Sequence, residues 1–326
     1  MYTVSFSLGG VEEEKKMKEY FDVHGYVVVR DVLTVAECKA TYEEIGGQLK
    51  KLNEKFDIDD LGSYGEASLS NYGLYSARPI FSKQVMRNRE NENIYRAFSI
   101  LSEEKDLIVN QDRCCLYRPT RGVLIGGELV DKPEWKTSYS YPELHLDFHP
   151  STYVDIDGLV IAKRDSLKYS DYRDFVTENN LYCSADGLQL QGVINVLNNS
   201  LDDGGFHCVP GFTNYFEEWY AGFRDKIIGK VGSYHFSNLD KNDMKYVSTS
   251  ERITAARGSI IIWNQKMAHG SRPNNSNRSR CCQFIKMFPR KTFSKSRFGN
   301  RQKAMKKILS DNDFEPSDIG KIVFGL

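Results

Sequence analysis

The sequence after residue 105 is dominated by short apolar or alternating runs, separated by turns rich in Gly and Pro. These runs lie at 107–117, 143–148, 189–197, 258–263 and 281–288. They have the length and composition of strands, and no helical pattern alternates with them as it would around a parallel sheet. This arrangement is typical of a double-sheet jelly roll. We therefore predict a mainly β fold with helical support.

The run at 143–148 contains His145 and Asp147, the first candidates for chemistry. Strand residues two positions apart point to the same face, so this imidazole and this carboxylate should lie side by side. Together they supply two ligands of a 2-His-1-carboxylate triad, which leaves positions open on a metal and suits non-haem Fe(II). The same tripeptide also fits a half-buried strand with a polar face, so the hypothesis depends on a second histidine.

The second histidine of an open iron site should come from a distant strand, so that the three ligands converge on the metal. His269 fits this role, because it follows the strand at 258–263 and begins a turn. The competing candidates are His149, which is followed by a proline, His207, which follows a double glycine, and His235, which lies in a polar segment.

An iron dioxygenase also needs a cationic anchor for the carboxylate of its co-substrate. Arginine suits this role, because its planar guanidinium binds a carboxylate through two hydrogen bonds. Arg280 lies eleven residues after His269, at the start of the next strand, and a hairpin would return it to the barrel. Arg278 shares its strand face by alternation and is the competing candidate. Either side chain could instead be an exposed charge.

The run at 189–197 places the amides of Gln191 and Asn195 on one strand face and Leu190, Ile194 and Val196 on the other. A row of amides on an inner face is expected where a barrel encloses a polar ligand. We therefore predict that Gln191 and Asn195 bind the co-substrate or the substrate. A solvent-facing edge strand would show the same pattern.

The charge balance bears on the class of partner. Lys and Arg together number 44, as do Asp and Glu, so there is no net attraction to nucleic acid or an anionic membrane. We find no signal-peptide core in the first 20 residues, no apolar run that could cross a bilayer, and no disulfide or zinc spacing among the seven cysteines. We expect a cytoplasmic protein with a small-molecule substrate and no nucleic-acid partner.

The chain is expected to form a single domain. Its predicted parts are helical support at 1–105, a jelly-roll core at 106–290 with insertions at 151–187 and 232–250, and a basic helical tail at 291–326. Within the support, the capping-box arrangement of Thr34 and Glu37 predicts the start of one helix, and the segment 83–103 is predicted to form another. The insertions are interpreted as loops that form a lid and determine specificity, as loops on rigid scaffolds often do. The tail is interpreted as a solvated surface helix, with binding to phosphate or nucleic acid as the alternative.

The chain resembles the phytanoyl-CoA dioxygenase family of Fe(II)/2-oxoglutarate oxygenases. The matching stretches span nearly the whole chain in the family's order: GYVVVRDVLT at 25–34, LHLDFHP at 144–150, DDGGFHCVPGF at 202–212 and GSIIIWNQKMAHGSRPNNSNRSR at 258–280. The resemblance implies a double-stranded β-helix (jelly-roll, cupin-like) core. It also implies iron binding by His145, Asp147 and His269, and binding of the C5 carboxylate of 2-oxoglutarate by Arg280.

The resemblance further implies Fe(II) as the metal, with 2-oxoglutarate and O2 as co-substrates. Halogenating relatives replace the carboxylate ligand by a small residue, so the presence of Asp147 favours hydroxylation. We therefore expect an Fe(II)/2-oxoglutarate-dependent dioxygenase that hydroxylates a small organic substrate and releases succinate and CO2. One alternative is a non-catalytic jelly-roll binding protein. Another is a 2-oxoglutarate oxygenase that acts on a macromolecule through its basic tail.

Overall fold

A computed structural model of the chain describes residues 2–67, 69–70, 73, 79–136, 143–147, 150, 190–222, 233–237, 239–292 and 295–326. Two subjects of the sequence predictions, the insertion at 151–187 and the competing ligand His149, lie outside these residues. The helices of the described part are α1 (Val11–His24), α2 (Val35–Leu52), α3 (Lys83–Arg89), α4 (Glu92–Ser102), α5 (Phe212–Ala221), α6 (Lys241–Ser248), α7 (Lys295–Asp311) and α8 (Asp318–Phe324).

The strands of the described part form two large antiparallel sheets and one hairpin. They are β1 (Tyr26–Val29), β2 (Leu107–Val109), β3 (Cys114–Tyr117), β4 (Val123–Ile125), β5 (Glu128–Val130), β6 (His145–Leu146), β7 (Leu190–Asn195), β8 (Gly205–Cys208), β9 (Tyr234–His235), β10 (Glu251–Arg252), β11 (Ile260–Asn264), β12 (His269–Arg272) and β13 (Arg280–Pro289). The first sheet has the order β1-β11-β7-β13-β2, with β3 also paired to β13. The second has the order β10-β8-β12-β6-β9, and β4 pairs with β5.

The two large sheets pack face to face, as in a jelly roll. Phe206 on β8 contacts Trp263 on β11, with 4.4 Å between the ring centroids. One buried cluster joins inward side chains of both sheets, including Val28, Val193 and Ile261 from the first and Phe206 from the second. The predicted two-sheet core is therefore present, and the space between the sheets is where buried side chains of both can meet.

The prediction of a mainly β protein is not confirmed, because the described helices contain more residues than the described strands. The physical reason lies on the outer face of the first sheet, which is also apolar and needs a cover. Helices α1 and α4 supply it: Phe21 and Phe98 are buried in one cluster with Ile260, Ile262 and Ile285 of the sheet. The first sheet is thus buried on both faces.

Several predicted boundaries also differ from the structure. The helix expected at 83–103 is two helices, because Asn91 caps α4 by accepting a hydrogen bond from the Ile94 amide at 3.1 Å. The segment 232–250, interpreted as a loop insertion, contains β9 of the second sheet and helix α6. The capping box predicted for α2 is present at Thr34 and Glu37. No helix in the described part of the chain is long and apolar enough to span a bilayer.

Candidate metal centre

Three side chains converge between the sheets where β6 and β12 pair. His145 on β6 lies directly opposite His269 on β12, and Asp147 follows β6. Asp147 Oδ1 is 3.5 Å from His145 Nε2 and 3.9 Å from His269 Nε2. One ligand atom from each residue lies within 4.8 Å of the other two, which suits a single metal ion. Two imidazoles and one carboxylate on one side of a metal are the donor set of an open Fe(II) site.

Each histidine is oriented by a contact of its other ring nitrogen. His269 Nδ1 lies 2.8 Å from the Met267 carbonyl oxygen, which accepts a hydrogen bond from it. His145 Nδ1 lies 2.9 Å from Glu143 Oε1. Such contacts fix the tautomer of a ligating histidine and leave Nε2 for the metal. Glu143 was not predicted, although it shares the strand alternation of His145 and Asp147.

The three side chains of the triad have shifted pKa values. Burial lowers the pKa of His145, but hydrogen bonds with Asp147 and Glu143 outweigh burial and raise the pKa to about 10. Burial and the nearby His145 lower the pKa of His269 to about 4. Burial would raise the pKa of Asp147, but Lys286 and both histidines hold it well below its ordinary value. A proton on His145 is therefore what a metal must displace.

His207 contacts the backbone just before His145. Its Nε2 lies 2.7 Å from the Glu143 carbonyl oxygen, and burial lowers its pKa to about 3, so the ring is neutral. It therefore contacts the segment that leads into His145 rather than the metal position. Gly270 permits this close approach, because a Cβ atom there would lie 1.9 Å from the Glu143 carbonyl oxygen. Of the other competing histidines, His235 lies beside Glu143 and is 60% exposed.

A cavity of about 400 Å³ opens beside the triad, and Arg280 forms part of its wall. Arg280 is only 2% exposed, and its guanidinium lies 4.8 Å from the centre of the Tyr117 ring. Gly205 makes room for it: its φ is +103°, and a Cβ atom there would lie 2.4 Å from Arg280 Nε. The double glycine before His207 therefore has a steric role at the site.

The two candidate arginines have different surroundings. The Arg278 side chain is 55% exposed, and its Nη2 lies 2.7 Å from Asp203 Oδ1. Within the described residues, Arg280 has no carboxylate at salt-bridge distance, and Nη1 makes a 4.0 Å contact with Cys115 Sγ. A buried guanidinium of this kind is poised for an anionic ligand. Of the two arginines, Arg280 is the one that is buried and lines the cavity.

The two predicted amides, Gln191 and Asn195, differ in whether they line the cavity. Gln191 lines the cavity and donates a hydrogen bond from Nε2 to Asp147 Oδ2. Asn195 is fully buried on the same strand face but does not line the cavity. Lys286, which was not predicted, does line it, and its Nζ lies 3.2 Å from Asp147 Oδ2. Alternation along β13 relates Lys286 to Arg280 and was the signal that could have revealed it.

Comparisons with known proteins agree with this fold. No protein-family model matches the chain. A protein of Dictyostelium discoideum named as a phytanoyl-CoA dioxygenase is 36% identical over 301 residues, which cover 90% of this chain and 81% of that protein. The product of GlcNAc-inducible gene 2 from Candida albicans matches 90% of this chain and 67% of its own at 15% identity, with a TM-score of 0.58. A structure named as an oxidoreductase, from Salmonella typhimurium LT2, matches 95% of this chain and 82% of its own at 14% identity, with a TM-score of 0.57. At these identities the two structures support the fold alone.

Proposed function

The chain belongs to the phytanoyl-CoA dioxygenase family of Fe(II)/2-oxoglutarate-dependent oxygenases, and from this premise we propose that it hydroxylates a small organic substrate and releases succinate and CO2. Iron and 2-oxoglutarate are the cofactors of this family, and the donor set of His145, Asp147 and His269 fits the metal. The observation that carries the proposal is that these three ligand atoms meet beside a cavity that also holds the buried Arg280.

The proposed roles follow from the positions of the side chains. His145, Asp147 and His269 would hold the metal through one ligand atom each, beside the cavity. Bound iron supplies the coupling of O2 reduction to the oxidative decarboxylation of 2-oxoglutarate. Arg280 binds the distal carboxylate of 2-oxoglutarate through its planar guanidinium. Trp263 lines the same cavity and lies 5.2 Å from the His269 ring, where it shields the site from water.

The presence of Asp147 supports hydroxylation rather than halogenation. Its carboxylate stands between the two histidines, with Oδ1 facing both Nε2 atoms. A chloride ligand would need this position to be free. A non-catalytic binding protein would have no use for three convergent ligand atoms with an open side.

The basic tail gives weaker support to a macromolecular substrate. Arg301 is fully buried and donates hydrogen bonds to the carbonyl groups of Phe324 and Val109, so it docks the tail onto the protein. Lys307 pairs with Asp311 of the same helix at 2.8 Å. These contacts favour a structural role for the tail and a small-molecule substrate for the cavity.

The decisive experiment is an anaerobic titration with Fe(II) and then 2-oxoglutarate, followed by the visible charge-transfer absorption of the chelate. We expect the band in the wild-type protein and its loss or strong weakening in Asp147→Ala and Arg280→Ala. Arg278→Ala is the matched control, because it removes an arginine close in sequence that pairs with Asp203 away from the cavity. It should retain the band.

Iron binding without the band in the wild-type protein would disprove the assignment of 2-oxoglutarate. Absence of iron binding would favour the non-catalytic alternative. A band that disappears in Arg278→Ala and persists in Arg280→Ala would transfer the anchoring role to Arg278. Once the band is established, succinate release in the presence of candidate compounds measures which of them is hydroxylated.

A further inference from the structure

Lys286 carries a buried ammonium group beside the candidate metal centre. It is 8% exposed, and it follows Arg280 and Phe284 on the inner face of β13, where all three side chains line the cavity. Burying an ammonium group costs free energy unless an anion compensates for it. Its Nζ lies 3.2 Å from Asp147 Oδ2, so a residue of the triad is one of the anions that compensate for it, and the buried Asp112 in the same cavity wall is another.

A second donor reaches the same oxygen. Gln191 on β7 lies directly opposite Lys286 on β13 in the sheet register, so both side chains leave the same face at the same level. Gln191 Nε2 also donates a hydrogen bond to Asp147 Oδ2. The neighbouring strands therefore present one ammonium and one amide to a single carboxylate oxygen.

The two oxygens of Asp147 are thus in different environments. Oδ1 faces His145 Nε2 at 3.5 Å and His269 Nε2 at 3.9 Å, whereas Oδ2 is engaged by Lys286 and Gln191. A carboxylate can bind a metal through one oxygen or through both. Binding through both would use a coordination position that the co-substrates need.

We propose that Lys286 and Gln191 are positioning residues that hold Asp147 Oδ2 by hydrogen bonds and keep it from binding the metal, so that Asp147 binds iron through Oδ1 alone. This inference rests on the proposed function and deepens it, because it concerns how the site stays open for 2-oxoglutarate. It differs from a purely structural role, in which Lys286 would only neutralise buried carboxylates. A structural role predicts that loss of Lys286 weakens all binding at the site together.

The test compares two affinities in Lys286→Met, which removes the charge and keeps a side chain of similar length. Fe(II) affinity is measured anaerobically by competition with a coloured chelator, and 2-oxoglutarate affinity by the charge-transfer band of the iron-loaded protein. We expect Fe(II) affinity to be equal or higher, because the ammonium no longer repels the metal ion. We expect 2-oxoglutarate to bind about tenfold more weakly, because Asp147 Oδ2 can then take a coordination position that the co-substrate needs.

Two further variants sharpen the result. Lys286→Arg restores a charged donor and should recover most of the 2-oxoglutarate affinity. Lys307→Met removes a lysine that pairs with an aspartate at the surface, and it should leave both affinities unchanged. If Lys286→Met does not fold, the same two affinities are measured in Lys286→Gln, which removes the charge and shortens the side chain. The same changes in affinity are expected.

The outcomes separate the inference from the proposed function. If the wild-type protein binds both Fe(II) and 2-oxoglutarate and Lys286→Met binds 2-oxoglutarate equally well, the inference alone is wrong. A parallel fall of both affinities also overturns it in favour of a structural role. If the wild-type protein binds Fe(II) but not 2-oxoglutarate, the proposed function fails and the inference fails with it.

Discussion

The two faces of the first sheet are both buried and both carry apolar clusters, but the inner face also presents charged side chains to a cavity. On the outer face, Ile262 and Ile285 pack with Phe98 of α4 in a wholly apolar cluster. On the inner face, Arg280 and Lys286 point into a cavity. Apolar contacts on the outer face contribute to stability without needing a partner from solution. The polar groups of the inner face are costly to bury until a ligand completes their hydrogen bonds.

The contrast indicates that the outer face contributes mainly to stability and the inner face mainly to ligand binding. Arg280 Nε and Gln191 Oε1 are buried atoms without a hydrogen-bond partner among the described residues. The outer face has no such need, because its apolar side chains pack against helices and its buried Gln283 accepts a hydrogen bond from Asn88 and donates one to the Val85 carbonyl oxygen. We therefore expect substitutions on the outer face to change stability, and substitutions on the inner face to change ligand binding.

The largest expected effect is on the outer face. Phe98→Ala should lower the free energy of unfolding by about 3–5 kcal/mol, because it leaves a cavity between α4 and β7. Phe98 is fully buried and packs over Gly192, where a Cβ atom would lie 3.1 Å from the ring. Chemical denaturation measures this change. Tyr215→Ala, which removes an aromatic ring that is 56% exposed, is the control.

Phe98→Ala should also keep the Fe(II) affinity of the wild-type protein under conditions where it remains folded. A large loss of Fe(II) affinity in the folded variant would break the comparison, because it would couple the outer face to the metal site.

An intermediate effect is expected on the inner face. Arg280→Met should weaken 2-oxoglutarate binding about a hundredfold, or about 2.7 kcal/mol, because a charge-assisted pair is lost. In the absence of ligands, its free energy of unfolding should be unchanged or higher, since a buried charge without a carboxylate partner has been removed. Denaturation without 2-oxoglutarate and titration with it measure the two effects. A strong loss of stability in the ligand-free protein would contradict the division between the faces.

The smallest expected effect is at the start of α2, away from both faces. Thr34→Ala removes the side-chain oxygen that accepts a hydrogen bond from the Glu37 amide at 3.2 Å. The free energy of unfolding should fall by about 1 kcal/mol. Thr34→Ser keeps the hydroxyl group and should be close to the wild type. A thermal melt of both variants measures the difference, and equal melting temperatures would show that the cap contributes little.

Sequence patterns within a few residues predicted local features correctly, but they did not predict features that depend on how distant segments pack together. The spacing of His145 and Asp147 predicted a shared strand face, and the Thr34 capping box was found because it lies within four residues. Lys286 was missed because lysine is usually exposed, and only the register of β13 against β7 brings it opposite Gln191. The amount of helix was underestimated for a similar reason. Nothing within a strand shows how much helical cover its outer face requires.

The distance along the chain between Asp147 and Lys286 has a consequence for biosynthesis. The two residues are 139 positions apart, and β12, which carries His269, lies between them in sequence. At ribosomal speeds of roughly 5–20 residues per second, Lys286 is made on the order of ten seconds after Asp147. A nascent chain therefore contains His145 and Asp147 well before the strands that complete their surroundings. The complete triad therefore cannot form before His269 has been made, and its contact with Lys286 cannot form before β13 has been made.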